Sequence, residues 1–527
     1  MTDLQLDLSP SYWQDFQPDS KDLEQLTAYL LEIETPLSPQ DLLPPLIEAR
    51  LAREEQQQTE EQTQGNEVYL PKGSYKVGQM LAFPGLDWKS GKVLAVRASQ
   101  TLNGHDFQVI EVQFEGEEPR EFAAGLAEHV LNEAPQQEEP TQELSTESVI
   151  AANGDQLAAR LEAALRESPE FVYIAGRWFP KALIVDVGEG PLNLAEALLD
   201  MASGGPLPTE ELLGQVELPD GTNPKLAAFS LDLALQEDER FDEVGPAGKV
   251  GWFLHRAEPE AVRETPIYLR YREIEYDRDS PSADMLTLER QLDDELSPIE
   301  DDGEAPEEVE VRLIFPHWRA GTLPLTDKVA RLFPTAYESP RVHFDFVDAD
   351  SGNRFPGWVV RNARYVHGLR AWYESHGLMP GGYVRARRGE TPGEIVVSTA
   401  PHRSSKEWVR TVLIGADGGL VFANLKQTVE TSFDERMMIY MPSETDALDA
   451  VWKQHASKRP AFAEVVSRAL RDLAELNPQN HVHASELYAV VNLTLRVPPA
   501  PLLALLARSS DFQHVGDLHY RLAGEGA

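Results

Sequence analysis

The chain contains no cysteine and no long uninterrupted run of apolar residues. Without cysteine it can form neither disulfides nor iron–sulfur clusters, and zinc sites with thiolate ligands are excluded as well. No stretch approaches the about 18 consecutive apolar residues of a membrane-spanning helix. The first residues also lack the basic region and the apolar region of a secretory signal. We therefore expect a cytoplasmic protein that has no contact with a membrane.

Sequence motifs of catalysis are also missing. The segment GPAGKVG at Gly245 does not have the spacing of a phosphate-binding loop, and no Gly-x-Ser-x-Gly element is present. His481 and His483 could bind a metal from one strand, but the sequence offers no third ligand nearby. Asp348 and Asp350 lie in a DADSG segment, which is more typical of a turn. We expect no catalytic residues, no metal site and no cofactor, and hence a protein that is not an enzyme.

Basic residues are scarce, and they are unevenly distributed. The chain has 47 Lys and Arg against 88 Asp and Glu, which gives a net charge of −41. The net charge is −43 before residue 311 and +6 within residues 311–410. A uniformly acidic protein would repel nucleic-acid phosphates. The uneven distribution leaves one basic segment as a candidate for contact with DNA.

The length and the shifts in composition predict several domains, and the predicted fold class is multidomain α+β. Residues 134–150 are rich in Pro, Gln, Glu and Ser, which predicts a linker. Residues 277–310 hold 14 acidic and 2 basic residues, and such dense like charge favours disorder. The remaining predicted domains are helical modules at 1–67, 151–276 and 447–527, small β-barrels at 68–133 and 311–400, and a β extension at 401–446.

A degenerate pattern recurs three times and begins at Pro36, Pro206 and His481 (PLSPQDLL, PLPTEELL and HVHASELY). Each copy places an acidic residue before an apolar pair, which is typical of a helix N-terminus. In the second and third copies a further helix follows, and then a pair of strands that starts near Phe241 or Phe512. The predicted order is three helices and a β-hairpin.

This order resembles the winged helix-turn-helix domains of the RNA polymerase delta subunit and of the HARE type. Their wing carries a Phe-x-x-Val-Gly and Trp-x-Leu pattern. The matching residues are Phe241, Val244, Gly245, Trp252 and Leu254 in one copy, and Phe512, Val515, Gly516, Tyr520 and Leu522 in the other. The N-terminal copy lacks this element. The candidate recognition helices at 223–239 and 498–510 are acidic and apolar respectively, which favours docking to a protein over reading of DNA.

Two segments resemble known β-barrels. Residues 77–84 and 91–93 are similar to the RNA-polymerase-interacting barrel of CarD-type proteins. Residues 311–400 resemble the DNA-binding pseudobarrel, or B-three domain, of plant transcription factors in their order of strands and helices. The pieces that carry this second resemblance are 330–334, 348–352 with Trp358, 369–372 and 377–384. The resemblance implies a DNA-binding face on this segment and RNA polymerase as a possible partner.

Arginines concentrate in the same segment. Arg385 and Arg387 alternate with Val384 and Ala386, so both should point to one face of a strand. Guanidinium groups suit phosphates and guanine edges, and aromatic rings such as those of Trp358, Tyr365, Trp372 and Tyr373 suit base stacking. The candidate nucleic-acid-binding residues are Arg354, Trp358, Arg361, Arg364, Arg370, Arg385, Arg387 and Arg388.

Two interpretations of function stay open at this point. In the first, a non-catalytic protein contacts DNA through the basic pseudobarrel and contacts RNA polymerase or another protein through its acidic modules. In the second, an acidic scaffold or DNA mimic binds a basic protein without nucleic acid. The surroundings of the arginines distinguish the two, because arginines that are paired with the chain's own acids support the scaffold.

Overall fold

The computed structural model describes residues 12–63, 66–86, 88–100, 106–127, 129, 132, 145–216, 221–298, 303–400, 403–415, 420–441 and 446–524. These residues form helices and several β-sheets, which confirms the α+β class. They divide into two compact units, unit 1 (residues 1–185 and 221–229) and unit 2 (residues 186–220 and 230–527). Among the helices of the described residues, none has the length and apolarity needed to cross a lipid bilayer.

Unit 1 begins with helices that are held together by a buried carboxylate. Asp19 caps the second helix by accepting a hydrogen bond from the backbone of Asp22, whose side chain returns the contact to the backbone of Asp19. The buried Asp22 also pairs with Arg50 and Arg53 of the next helix. The helices are α1 (Tyr12–Asp15), α2 (Ser20–Ile33) and α3 (Pro39–Thr63).

A five-stranded sheet follows in unit 1. Its strands are β1 (Glu67–Val68), β2 (Met80–Phe83), β3 (Lys89–Gln100), β4 (Asp106–Phe114) and β5 (Arg120–Ala124), and they pair in chain order. Its core includes the buried side chains of Phe83, Ile110 and Phe114. Two main-chain bonds, from Gly125 to Gly73 and from Leu126 to Pro71, join the segment after β1 to the end of β5. The predicted barrel region thus holds a sheet whose two ends meet.

Helix α4 (Thr146–Glu167) and the hairpin of β6 (Phe171–Ile174) and β7 (Arg177–Pro180) complete the first part of unit 1. The next elements in the chain are α5 (Glu189–Met201), α6 (Thr209–Leu213), α7 (Pro224–Glu237), β8 (Phe241–Glu243), β9 (Trp252–Leu254) and α8 (Glu260–Arg263). Helix α7 starts in the residues of unit 1 and ends in those of unit 2.

A nearly closed seven-stranded sheet forms the centre of unit 2, with the strand order β10-β15-β16-β12-β13-β14-β11. Only β12 and β16 pair in parallel. The strands and helices predicted for 311–400 occur in the predicted order, but the helix at 315–320 and the strands at 322–324 and 365–367 were not predicted. The elements of this region, with the helix before them, are α9 (Ala283–Leu292), β10 (Glu308–Arg312), α10 (Phe315–Ala320), β11 (Thr322–Pro324), α11 (Asp327–Ala330), β12 (Arg341–Asp348), β13 (Arg354–Val360), β14 (Tyr365–His367), α12 (Arg370–Ser375), β15 (Tyr383–Arg388) and β16 (Glu394–Thr399).

A long two-stranded hairpin and a C-terminal module complete unit 2. Their elements are β17 (Ser405–Ile414), β18 (Leu420–Val429), α13 (Asp446–Lys458), α14 (Phe462–Ala474), β19 (Val482–His483), α15 (Ala484–Val491), α16 (Pro499–Arg508), β20 (Phe512–Gly516) and β21 (His519–Leu522). One apolar core extends from Met285 in α9 through the seven-stranded sheet to Leu522 in β21. The predicted segments at 311–400, 401–446 and 447–527 therefore share a core and are not separate domains.

The three sequence repeats correspond to one recurring arrangement of helix, β-bridge, helix, helix and hairpin. The bridges join Leu37 to Trp178, Leu207 to Trp252 and, through β19, Val482 to Tyr520. The first copy consists of α2, α3, α4 and the β6–β7 hairpin, with the five-stranded sheet inserted between α3 and α4. The second copy consists of α5, α6, α7 and β8–β9, and the third of α14, α15, α16 and β20–β21.

This arrangement corrects the predicted boundaries at 1–67 and 151–276. Residues 145–180 belong to the first copy, because the β6–β7 hairpin pairs with the chain just before α3. The hairpin of the first copy was missed since it follows the inserted sheet, although Phe171, Ile174, Gly176 and Trp178 carry a related pattern. Of the predicted linker at 134–150, only its end from residue 145 lies within the described residues, and α4 starts there.

The prediction of a disordered linker at 277–310 is wrong for the residues that the structure describes there. Helix α9 begins at a capping Ser282 and buries Met285, Leu288 and Leu292 in the core of unit 2. The strand β10 then adds an edge to the seven-stranded sheet. The prediction of disorder from charge density is wrong because apolar residues at helical spacing pack this segment into the core. In addition, some of its acidic side chains form ion pairs with a buried arginine.

Candidate functional site

Three of the predicted site residues share the outer face of the seven-stranded sheet. In the strand register Arg387 lies opposite Glu308 on one side and Val396 on the other. Val396 pairs with Val347, which pairs in turn with Arg354. Arg354 and Arg387 therefore lie in one cross-strand row, and Arg385 lies in a neighbouring row.

Carboxylates of the same chain neutralise four of the seven predicted arginines. Arg354 pairs with Glu394 of β16. The remaining pairs measure 2.8 Å from Arg385 to Glu310, 2.6 Å from Arg364 to Asp327 and 2.8 Å from Arg370 to Glu374. Partly exposed pairs of this kind add only about 0–1 kcal/mol each to stability. Their main effect here is that the local positive potential is lowered.

Backbone carbonyl groups accept hydrogen bonds from the other predicted arginines. Arg361 donates to the carbonyl of Ser339 at 2.9 Å, and Arg388 donates to that of Arg331 at 2.7 Å. Arg387 makes only a long contact of 3.4 Å with the carbonyl of Arg388. Among the seven, Arg387 thus keeps the most freedom to bind an external anion.

The predicted stacking role of the aromatic residues is wrong. Trp358 is 2% exposed and packs edge-on against Phe253, and Tyr365 is buried beside it in the same cluster. Trp372 and Tyr373 are buried as well, and their polar atoms donate hydrogen bonds to Asp348 and to the carbonyl of Thr322. These rings form core contacts, and none presents a face to a base.

A buried ion cluster connects the segment 277–310, which was predicted to be a linker, to the C-terminal module. Arg496 of that module donates hydrogen bonds to Asp294 at 2.8 Å and to Glu295 at 2.7 Å. His317 lies 3.1 Å from Glu295, and Tyr488 donates a hydrogen bond to Asp294. Burial opposes the ionisation of Glu295, but the charges of Arg496 and His317 outweigh it and hold the pKa of Glu295 well below its ordinary value. The cluster joins segments of unit 2 that lie about 200 residues apart in the chain.

Asp242, His255 and Glu258 bring three donor groups together beside the hairpin of the second copy. His255 lies 2.7 Å from Asp242, and Arg341 lies 2.7 Å from Asp242 and 3.1 Å from Glu258. Burial, together with the charge of Asp242, raises the pKa of Glu258 to about 8. Because Arg341 already supplies a cation between the two carboxylates, this group acts as an ion-pair network.

Tertiary structure also adds His376 to Asp348 and Asp350 of the DADSG turn. The Nε2 atom of His376 lies 3.5 Å from Asp348 and 3.7 Å from Asp350. Asp348 is already engaged, since it accepts hydrogen bonds from Trp372 and from the hydroxyl of Ser351. The DADSG segment forms the predicted turn, and His376 reaches it from a position about 26 residues farther along the chain, which local sequence does not report.

The β17–β18 hairpin carries functional candidates that the sequence analysis missed. Trp408 is 71% exposed, and Lys426 lies directly opposite it on the partner strand. Lys406 lies two residues before Trp408 and therefore on the same face. The signal in the sequence was the alternation in SKEWVRTVLI, which places Lys406, Trp408 and Arg410 together.

Comparison of the chain with protein-family models, with curated proteins and with solved structures gives no match. Function therefore has to be inferred from the contacts described above.

Proposed function

We propose that this protein is a non-catalytic adaptor whose acidic surface binds a basic protein partner. The observation that supports it is the internal pairing of the predicted DNA-binding arginines. Arg354, Arg364, Arg370 and Arg385 are paired with the chain's own acids, so the predicted DNA-binding face offsets little of the net charge of −41. An acidic surface attracts a basic partner and speeds its association.

The three repeated copies would act as winged-helix modules that dock to protein. In α7, Phe229, Leu231 and Leu235 are buried, and α16 buries most of its length in the core. Because so many side chains of these two helices are buried, few are left to contact base edges in a groove of DNA. This supports a docking role, and RNA polymerase is the partner that the resemblance implies.

Capture from a native extract tests the adaptor proposal. The full chain serves as bait, with and without nuclease, beside an unrelated protein of equal net charge as the control. We expect basic proteins that the control does not capture, that resist nuclease and that are released near 1 M salt, where the Debye length falls to about 3 Å. Capture that disappears with nuclease, or that equals the control, would contradict the proposal.

Contact of the outer sheet face with duplex DNA is the second candidate function. The observation that favours it is the row that contains Arg354 and Arg387, because among the described residues Arg387 makes a single hydrogen bond, and that one is long. An anisotropy titration of the full chain with duplex DNA at low salt, repeated with Arg385→Ala/Arg387→Ala, tests it. Binding that the double variant leaves unchanged would exclude this face.

A further inference from the structure

We propose that one face of the β17–β18 hairpin binds single-stranded nucleic acid by base stacking and phosphate contacts. This inference goes beyond the adaptor proposal, because it concerns another ligand and a defined surface in unit 2. The surface, which we name the Trp408 face, consists of Lys406, Trp408, Lys426 and Thr428.

The strand register shows that the hairpin itself contributes no acidic residue to this face. Pairs of residues that lie opposite each other in an antiparallel hairpin share a face, and alternate pairs share the same face. The five pairs on the side of Trp408 are Lys406 with Thr428, Trp408 with Lys426, Arg410 with Asn424, Val412 with Phe422 and Ile414 with Leu420. None of these ten residues is acidic, although acids outnumber bases by 88 to 47 in the chain.

The hairpin is anchored in a way that leaves Trp408 exposed. Val409 and Val429 lie on the opposite face and pack with Met438 in a small core. Nearer the tip, Val412 and Phe422 join the main core of unit 2. Val409 and Val429 thus hold the two strands near Trp408 through the face opposite the indole. The backbone that carries Trp408 is packed, while the indole itself is 71% exposed.

The flanking lysines keep their charges available. Lys406 and Lys426 are both exposed, and neither forms an ion pair with an acidic residue in the part of the chain that the structure describes. Arg410, on the same face, is nearly buried and pairs with Glu486 at 3.2 Å. The Trp408 face therefore offers one exposed ring next to two ammonium groups, one across the hairpin and one along the strand, that have no carboxylate partner among the described residues.

This chemistry fits a single strand better than a duplex or an acidic peptide. An aromatic ring stacks on an unpaired base whatever its sequence, whereas the bases of a duplex are already stacked on each other. Ammonium groups bind phosphates on either side of the stacked base. An acidic peptide would use the lysines but would gain little from the exposed indole.

The acidic excess of the chain does not prevent this contact at moderate salt. At an ionic strength of about 0.1 M the Debye length is about 10 Å, so exposed acids farther away than that are largely screened. Within this distance lie the lysines next to Trp408 and also Glu407, whose side chain is on the opposite face of the hairpin and accepts a hydrogen bond from Ser405. The local charge of the Trp408 face then decides the interaction with a bound strand.

Fluorescence anisotropy with labelled oligo(dT), of about 12 nucleotides to span a site of this kind, tests the proposal on the full chain at about 0.1 M salt. We expect saturable binding that weakens about tenfold or more in Trp408→Ala and is largely kept in Trp408→Phe. Lys406→Gln/Lys426→Gln should weaken binding and reduce the salt dependence by about 1.4 in the logarithmic slope. The matched control Lys181→Gln/Lys225→Gln removes the same charge from exposed positions elsewhere and should leave binding unchanged.

Three results would overturn the proposal. The first is no binding of oligo(dT) to the unmodified chain. The second is equal binding by the unmodified chain and Trp408→Ala. The third is a poly-glutamate peptide that competes as well as oligo(dT) in both proteins, because it would show recognition of charge alone. Since Trp408 is exposed, an unchanged circular dichroism spectrum is expected for Trp408→Ala, and it confirms that a loss of binding is not a loss of folding.

Discussion

Replacement of Arg496 by Met tests whether the ion cluster of Asp294, Glu295 and Arg496 stabilises unit 2. Arg496 is 1% exposed, and its guanidinium group contacts both carboxylates within 2.8 Å. Removal of one partner from a buried ion pair costs about 3–5 kcal/mol, because the remaining charge is buried with fewer partners; here Asp294 and Glu295 would both lose Arg496, and Glu295 would keep His317. That is a large part of the about 5–15 kcal/mol that stabilises a typical domain.

Urea denaturation followed by circular dichroism measures this loss. We expect the transition that reports on unit 2 to shift to lower urea by about 1 M or more in Arg496→Met, given typical slopes of about 1–3 kcal/mol/M. Arg508→Met is the matched control, since Arg508 joins the C-terminal module to Asp277 through an exposed pair at 3.0 Å. The control should lose less than about 1 kcal/mol.

The pH dependence gives a second measurement of the same cluster. In the unmodified protein the pKa of Glu295 lies below its ordinary value, so its contribution is present above that value and is lost only as the pH falls towards the folded pKa. In Arg496→Met the largest lowering charge on Glu295 is gone while its burial remains, so the pKa of Glu295 should rise and less stability should be lost as the pH falls from 7 to 5 than in the unmodified protein. The reasoning is refuted if Arg496→Met and Arg508→Met lose the same small free energy, with the same pH dependence.

Three further changes have defined outcomes. The pKa of Glu258 is raised to about 8, so this side chain favours folding below its ordinary pKa and loses that contribution as the pH rises through about 8. In thermal melts between pH 5 and 9, Glu258→Gln should therefore gain stability relative to the unmodified protein as the pH rises. A stability difference that stays constant across that range would argue against the raised pKa. Gly381 has a φ of +91°, and a Cβ there would lie 2.5 Å from the Cα of Met438. Gly381→Ala should therefore lower the free energy of unfolding by more than about 1 kcal/mol. The control is Gly393→Ala, because Gly393 has a similar φ of +90° but no atom within 4 Å of an added Cβ. Trp252→Phe should cost about 1–3 kcal/mol, because the buried Asp232 loses the 2.9 Å hydrogen bond from the indole nitrogen; a loss below about 0.5 kcal/mol would show that this bond contributes little.

The repeats and the order of strands could be predicted from local patterns, but the domain boundaries could not. Apolar periodicity and helix caps depend on neighbouring residues, so the helices that follow Pro36, Pro206 and His481 are visible in the sequence. The insertion of a sheet between α3 and α4 is a matter of tertiary pairing. The bridge of Leu37 to Trp178 joins positions far apart in the chain, and no local pattern reports it.

The candidate site shows the same division. The sequence determined where the arginines are and that Arg385 and Arg387 share a face, because side chains alternate along a strand. It could not show that Glu310 lies opposite Arg385, since this requires the register of β10 against β15. It could not show that Trp358 is covered by Phe253 either.

The acidic excess, the absence of cysteine chemistry, the α+β class and the three repeats can all be read from the order of the residues. These depend on composition and on contacts between close neighbours. The pairing of the charges, the burial of most aromatic rings and the exposure of Trp408 beside two lysines depend on the tertiary structure. The physical reason is that burial and pairing depend on segments that are brought together from distant parts of the chain, so that the same arginine or tryptophan becomes a core contact or a binding surface according to what packs against it.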